Sequence, residues 1–191
     1  MKTIDQILKI RATVLYVLNA FPQGIDYIKL FKILYFAQRQ HLATYGRTII
    51  DDTFQARQFG PVSSFIRKGL ELKELSQELP DDFRLFGNEI LVDILPKCQI
   101  IKTTATADME ELSLSEIKCL DKFIKQFRDM KSEEISAISH EDSAWKSAYE
   151  RWKKDPQQWN MSILEIAEAG GATPNTLAYI KENIELDQAL N

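Results

Sequence analysis

The chain has 191 residues, 45% of them hydrophobic and 27% charged, and contains ten Phe, six Tyr and three Trp. This length suits one domain or a domain with an extension, and the composition excludes a disordered or low-complexity chain. Twenty-four basic against 28 acidic side chains leave a net charge of −4, which disfavours a general attraction to phosphate backbones or anionic membranes.

The two cysteines, Cys98 and Cys119, form no CxxC pair, so neither a disulfide framework nor a zinc ribbon is expected, and a reducing cytoplasm is the expected location. Asp5, Gln6, Lys9 and Arg11 interrupt any secretory apolar stretch, and charges recur too often elsewhere for a membrane span. No membrane partner is expected.

In chain order, Thr3 and Gln6 make a T-x-x-Q capping box ahead of Ile4, Ile7, Leu8, Val14, Leu15 and Leu18, which predicts a helix over residues 3–20, stopped by FPQG. A second helix over about 26–45 carries apolar residues on more than one face, which places it at the centre of the fold, and Gly46 is set to end it. Alternation over 53–59 predicts a strand. Gly60 and Pro61 then read as the N-cap and first position of a third helix reaching about residue 74, with Gly69 tolerated where a neighbour packs close to the backbone.

Residues 83–86 and 89–94, joined by Gly87-Asn88, read as a hairpin able to form a small three-stranded sheet with 53–59, and residues 97–108 as an irregular loop. A capping box, Ser113 to Glu116, and a staple, Leu112 to Ile117, specify the next helix start. A short helix over about 133–138 precedes Ser139-His140-Glu141-Asp142, which can cap a helix carrying Trp145, Ala148, Tyr149 and Trp152. Asp155-Pro156 ends that helix, and Ser162 to Glu165 and Thr173-Pro174 open two more. The expected fold is mainly α with a small antiparallel β-sheet (α+β), a helical core with a short strand and hairpin.

Charge divides the chain. Residues 1–75 hold eleven basic and six acidic side chains, net +5, whereas 155–191 hold one basic and six acidic, net −5. Residues 1–154 are therefore read as the main domain and 155–191 as an acidic helical C-terminal extension.

No nucleophile elbow, phosphate loop, dinucleotide fingerprint or HExxH motif is present, and His41 and His140 are the only histidines. Ser63 and Ser64 have no base nearby in sequence and read as capping hydroxyls. His140, Glu141 and Asp142 are adjacent and point in different directions from a helix start, so no metal site is expected and His140 reads as structural. Trp145 and Trp152 share a helix face, Trp145 suited to the core and Trp152 to a binding anchor. Lys29, Lys32, Arg39, Arg57, Arg67, Lys68 and Lys73 supply the positive half of the molecule. They leave a winged-helix-like DNA-binding regulator as an alternative, though no aromatic or glycine-rich nucleic-acid motif accompanies them.

KILYFAQRQHLATYG at 32–46 and FQARQFGPV at 54–62, followed by LSLSEIKCLD at 112–121 and SHEDSAWKSA at 139–148, resemble the SocA-like or Panacea antitoxin domain family over about residues 5–150. Leu34, Tyr35, Ala37, His41 and Gly46 match its helix motif, Ala56, Gly60, Pro61 and Val62 its strand-to-turn motif, and Ser139, His140, Glu141 and Trp145 its last motif. Ala56-Arg57 stands where such proteins commonly have Ala-Trp.

The resemblance implies a phage-associated or bacterial antitoxin, without cofactor or catalytic residue, that neutralises a co-encoded protein toxin by direct binding. An alternative within the family is an adaptor delivering its toxin to a AAA+ protease. The expected contact surface is Arg57, Gly60, Pro61, Val62, Arg67 and Trp152, with the remaining motif residues structural.

Overall fold

The computed structural model describes residues 2–74, 80–95 and 98–190. Helix α1 spans Ile4–Asn19, and its predicted capping box is formed: Thr3 Oγ1 accepts the Gln6 N–H and Gln6 Oε1 accepts the Thr3 N–H. A two-residue strand β1, Ile25–Asp26, leads into α2, Tyr27–Tyr45, whose first turn is capped where Asp26 accepts the Lys29 N–H at 2.9 Å. Gly46 ends α2 at φ +67°, the left-handed conformation glycine adopts without a Cβ penalty. As expected, α2 is the centre of the fold, with Leu30, Phe31, Ile33, Leu34, Tyr35, Phe36, Ala37 and Leu42 all buried.

Strand β2, Phe54–Arg57, is followed not by a helix but by β3, Gly60–Ser63, which pairs with it antiparallel from Arg57↔Gly60 to Phe54↔Ser63. The predicted helix start at Gly60-Pro61 is therefore corrected. Gly60 has φ +99°, outside the extended backbone of an N-cap, and α3 begins only at Ser64, spanning Ser64–Glu74. The cap comes from a distance in sequence: Asp52 accepts the Phe65 N–H at 2.8 Å and the Ser64 hydroxyl at 3.1 Å.

Residues 83–86 are also corrected, from strand to helix. Helix α4 spans Asp81–Gly87, with Asp81 and Asp82 in its first turn, where the helix dipole favours acids. Phe83 and Phe86, three positions apart, both pack on Phe65 with ring centroids 4.7 and 5.6 Å away. A Cβ on Gly69 would lie 2.7 Å from Phe86, which is the close approach expected there.

The hairpin lies one element later. Strand β4, Ile90–Leu95, pairs antiparallel with β5, Cys98–Thr103, in a stretch expected to be irregular, and residue 97 of that stretch is outside the described residues. Ile25↔Ile101 pairing adds β1, so the sheets are β1-β5-β4 and, separately, β2-β3, in place of the single sheet expected from 53–59 and the hairpin. Buried Ile101 and Ile90 join this sheet to the core.

A 3₁₀ turn, Met109–Glu111, precedes α5, Leu114–Phe127, and α5 opens with the predicted Ser113–Glu116 capping box. Then follow α6, Ser132–His140; α7, Ser143–Lys154; α8, Ile163–Ala169; and α9, Pro174–Leu190. Met161, Ile166, Ala167 and Ile180 belong to the same buried cluster as α2. A helical core with two small antiparallel sheets makes the expected α+β fold. Among the described residues no helix is long and apolar enough to cross a membrane.

Candidate functional site

Three of the sequence motifs converge along one side of α2. Tyr35 donates its hydroxyl to Asp142 Oδ1 at 2.8 Å, Arg39 ion-pairs with Asp142 Oδ2 at 3.1 Å, and Asp142 caps α7 by accepting the Trp145 N–H at 3.0 Å. Burial, reinforced by the Asp142 carboxylate, pushes the Tyr35 hydroxyl well above its ordinary range, so it stays a donor. One buried carboxylate thus ties α2 to α7.

The hairpin β2–β3 is seated against the same helices. Trp145 Nε1 donates to the Arg57 carbonyl at 3.0 Å, Ser136 Oγ to the Phe59 carbonyl at 3.1 Å, and Lys32 Nζ to the Pro61 carbonyl at 3.1 Å. A Cβ on Gly60 would lie 2.6 Å from Lys32 Cε and closer still to the buried Ser139 Oγ, so only glycine fits there. His140 stacks on Trp145 with centroids 4.3 Å apart, and burial is the main reason its pKa falls below the ordinary value. Glu141 points outward to an ion pair with Lys146 at 2.6 Å.

Gly60, Pro61 and Val62 are buried, as are Leu34, Ala37 and Ala56. Half-buried Arg57 lays its guanidinium 3.7 Å from the centroid of Trp159 and donates to Gln55 Oε1 at 2.9 Å. Arg67 pairs with Glu71 one turn along α3. Burial, then the nearby Arg67 charge, lowers the Arg57 pKa. Trp152 is half-buried on α7, its ring 5.2 Å from Tyr149.

The exposed aromatic at this place is Phe59, at the hairpin tip and 57% accessible, which sequence reasoning passed over although its position just before the Gly-Pro turn is a signal for it. Phe59, Tyr27 and Ile28 are shared by two adjoining hollows. One, of about 210 Å³, is lined by Lys32, Arg57 and Arg67; the other, of about 760 Å³, by Ile94, Leu95 and Met130. Lys32 is 1% exposed, and this burial lowers its pKa to about 7 against a partial opposing pull from Asp26.

On the far side of α2, the Arg47 carbonyl lies 2.8 Å from His41 Nδ1 and the Ser115 hydroxyl 3.0 Å from Nε2. The carbonyl requires the proton on Nδ1, leaving Nε2 to accept from Ser115. Burial holds the His41 pKa below its ordinary value, which favours this neutral ring. His41 thus ties the end of α2 to the start of α5. His140, Glu141 and Asp142 turn to three different partners, and among the described residues no cluster of His, Cys, Asp or Glu is arranged to hold a metal ion.

These features define an α+β scaffold whose polar ties join a central helix, a hairpin and the α6–α7 corner, leaving an apolar and basic surface at the hairpin tip. The family described as "Antitoxin SocA-like, Panacea domain" matches residues 30–146, and the chain belongs to it. Those residues run from α2 into α7 and include every tie described around Asp142 and Gly60. No curated protein and no solved structure matches the chain.

Proposed function

We propose that the protein is an antitoxin that neutralises a co-encoded protein toxin by stoichiometric binding, and that the hairpin tip around Arg57, Phe59 and Arg67 is the surface it uses. The observation that carries the reading is Phe59: a large aromatic held out to solvent on a hairpin that Lys32, Ser136 and Trp145 fix in place. Rigid aromatics beside arginines combine contact area with directed hydrogen bonds at little entropic cost. Gly60, Pro61 and Val62 act on this surface from behind, by shaping the turn. Family membership supports the antitoxin role, and no step of it requires a catalytic group or cofactor.

The test is co-expression with the toxic gene next to the one encoding this chain. The intact protein is expected to restore growth, and Phe59→Ser or Arg57→Glu to lose at least tenfold in affinity for the purified toxin with the fold unchanged. Restored growth with unchanged affinity in both variants would move the contact elsewhere. No suppression of any adjacent toxic gene would refute the antitoxin reading itself.

A further inference from the structure

The smaller hollow at the hairpin tip holds an unusual set of donors. Lys32, Arg57 and Arg67 line it, and Glu71 is the one carboxylate among its described lining residues. When protonated, Lys32 has three donors, and the Pro61 carbonyl takes one of them. The Nε atoms of Arg57 and Arg67 are buried without a hydrogen-bond partner. Buried cationic donors lacking acceptors are costly, and one anionic acceptor bridging them removes that cost.

The neighbouring hollow carries Phe59, Ile94 and Leu95, 57%, 63% and 49% exposed, beside charged residues of both signs, Asp26, Lys29, Lys131 and Glu133. We infer that the hollow between α2, the β2–β3 hairpin and α3 is a carboxylate subsite that takes an acidic side chain of the protein partner, whose adjacent apolar side chains lie against Phe59, Ile94 and Leu95. This rests on the proposed function and names the chemistry of the partner's segment.

Size and surroundings select this occupant. The hollow measures about 210 Å³, and the larger one beside it sets Ile94, Leu95 and Met130 among Lys29, Lys131, Asp26 and Glu133, whose opposite charges balance instead of forming a basic track. A nucleic acid strand needs a basic track along successive phosphates, whereas a peptide needs one charged anchor beside apolar contacts. The planar guanidinium groups of Arg57 and Arg67 are also of the kind that matches the two oxygens of a carboxylate.

Hexanoate, which joins a carboxylate to an alkyl chain, is the toxin-free probe, with hexan-1-ol as its uncharged counterpart. Titration of the full chain followed by NMR is expected to give saturable shifts at Arg57, Phe59 and Arg67 with hexanoate, and binding at least tenfold weaker with hexan-1-ol. Lys32→Met and Arg67→Gln should each weaken hexanoate at least tenfold. Arg67 is partly exposed on α3, so its variant tests the subsite independently of the stability change expected at the buried Lys32.

Equal binding of the alcohol, unchanged affinity in the variants, or no saturation would overturn the subsite. So would a single-stranded oligonucleotide that shifts the same residues more tightly than hexanoate, or a stable dimer in sedimentation that buries the larger hollow. With the purified toxin, the same two variants are expected to lose about tenfold or more in affinity. Toxin binding that survives both changes refutes the carboxylate anchor and leaves the antitoxin reading standing, whereas hexanoate binding without any suppressed toxin does the reverse.

Discussion

Replacing Lys32 by methionine should make the protein more stable in acid and neutral solution and no more stable in alkali. Burial lowers the Lys32 pKa from 10.5 to about 7, and at about 1.36 kcal/mol per pH unit this corresponds to about 5 kcal/mol for keeping the ammonium charged inside the fold. Below about pH 7 both folded and unfolded chains carry the proton, so the whole penalty is present. Between that value and 10.5 the unfolded chain binds more protons than the folded one, and stability rises with pH until the penalty is gone.

Methionine keeps the length of the stem that packs beside Gly60 and gives up the bond to the Pro61 carbonyl, which costs about 1 kcal/mol. The variant should thus be more stable by about 4 kcal/mol near pH 6, with the advantage falling to zero or slightly below it by about pH 10. Urea denaturation of both proteins across that range measures the difference directly, and groups common to both cancel in it. A difference that stays flat with pH, or a natural chain that is the more stable one in acid, would refute the account of Lys32 as a buried charge held at a cost.

Two further outcomes follow from the ties around α2. Gly60→Ala should destabilise the fold by at least about 2 kcal/mol, since a Cβ there combines a strained positive φ with contact on Lys32 and Ser139, and a chemical melt unchanged from the natural chain would contradict that geometry. Asp142→Ala removes the α7 cap, the acceptor for Tyr35 and the partner of Arg39 together, for an expected loss of about 3 kcal/mol seen in thermal unfolding. Retention of the melting temperature would mean that α7 is held chiefly by the packing of Trp145 and Ala148.

Elements announced by local chemistry were legible in the sequence. Thr3, Ser113 and Ser162 open their helices with the capping boxes the spacing predicts, and Gly46 closes α2. Misreading came where the deciding partner is remote. Asp52 caps α3 across the β2–β3 hairpin, so Gly60-Pro61 resembled a helix start while belonging to a turn. Phe83 and Phe86 fit a strand or a helix by pattern alone, and packing on Phe65 settles the matter.

At the site, Arg57 and Arg67 stood out as charges in sequence, whereas Lys32 looked like one more exposed cation on α2. Its burial depends on the hairpin folding back over α2, which periodicity within the helix does not contain. Asp142 was read as part of a cap, and its reach to Tyr35 and Arg39 depends on how α7 sits against α2.

The outer edge of β2 is occupied by residues from beyond the family match. The Ala56 N–H donates to the Trp159 carbonyl and the Met161 N–H to the Phe54 carbonyl, both at 2.8 Å, so residues 159–161 complete the hairpin as a third line of backbone. A chain cut back to the matched length would bare those groups as an open strand edge, a template on which other chains add and aggregate. Residues 159–161 thus act as a guard rail for the hairpin. Dissecting the acidic segment behind them calls for charge-reversing substitutions on α9, because a truncation would report clumping as though it were lost recognition.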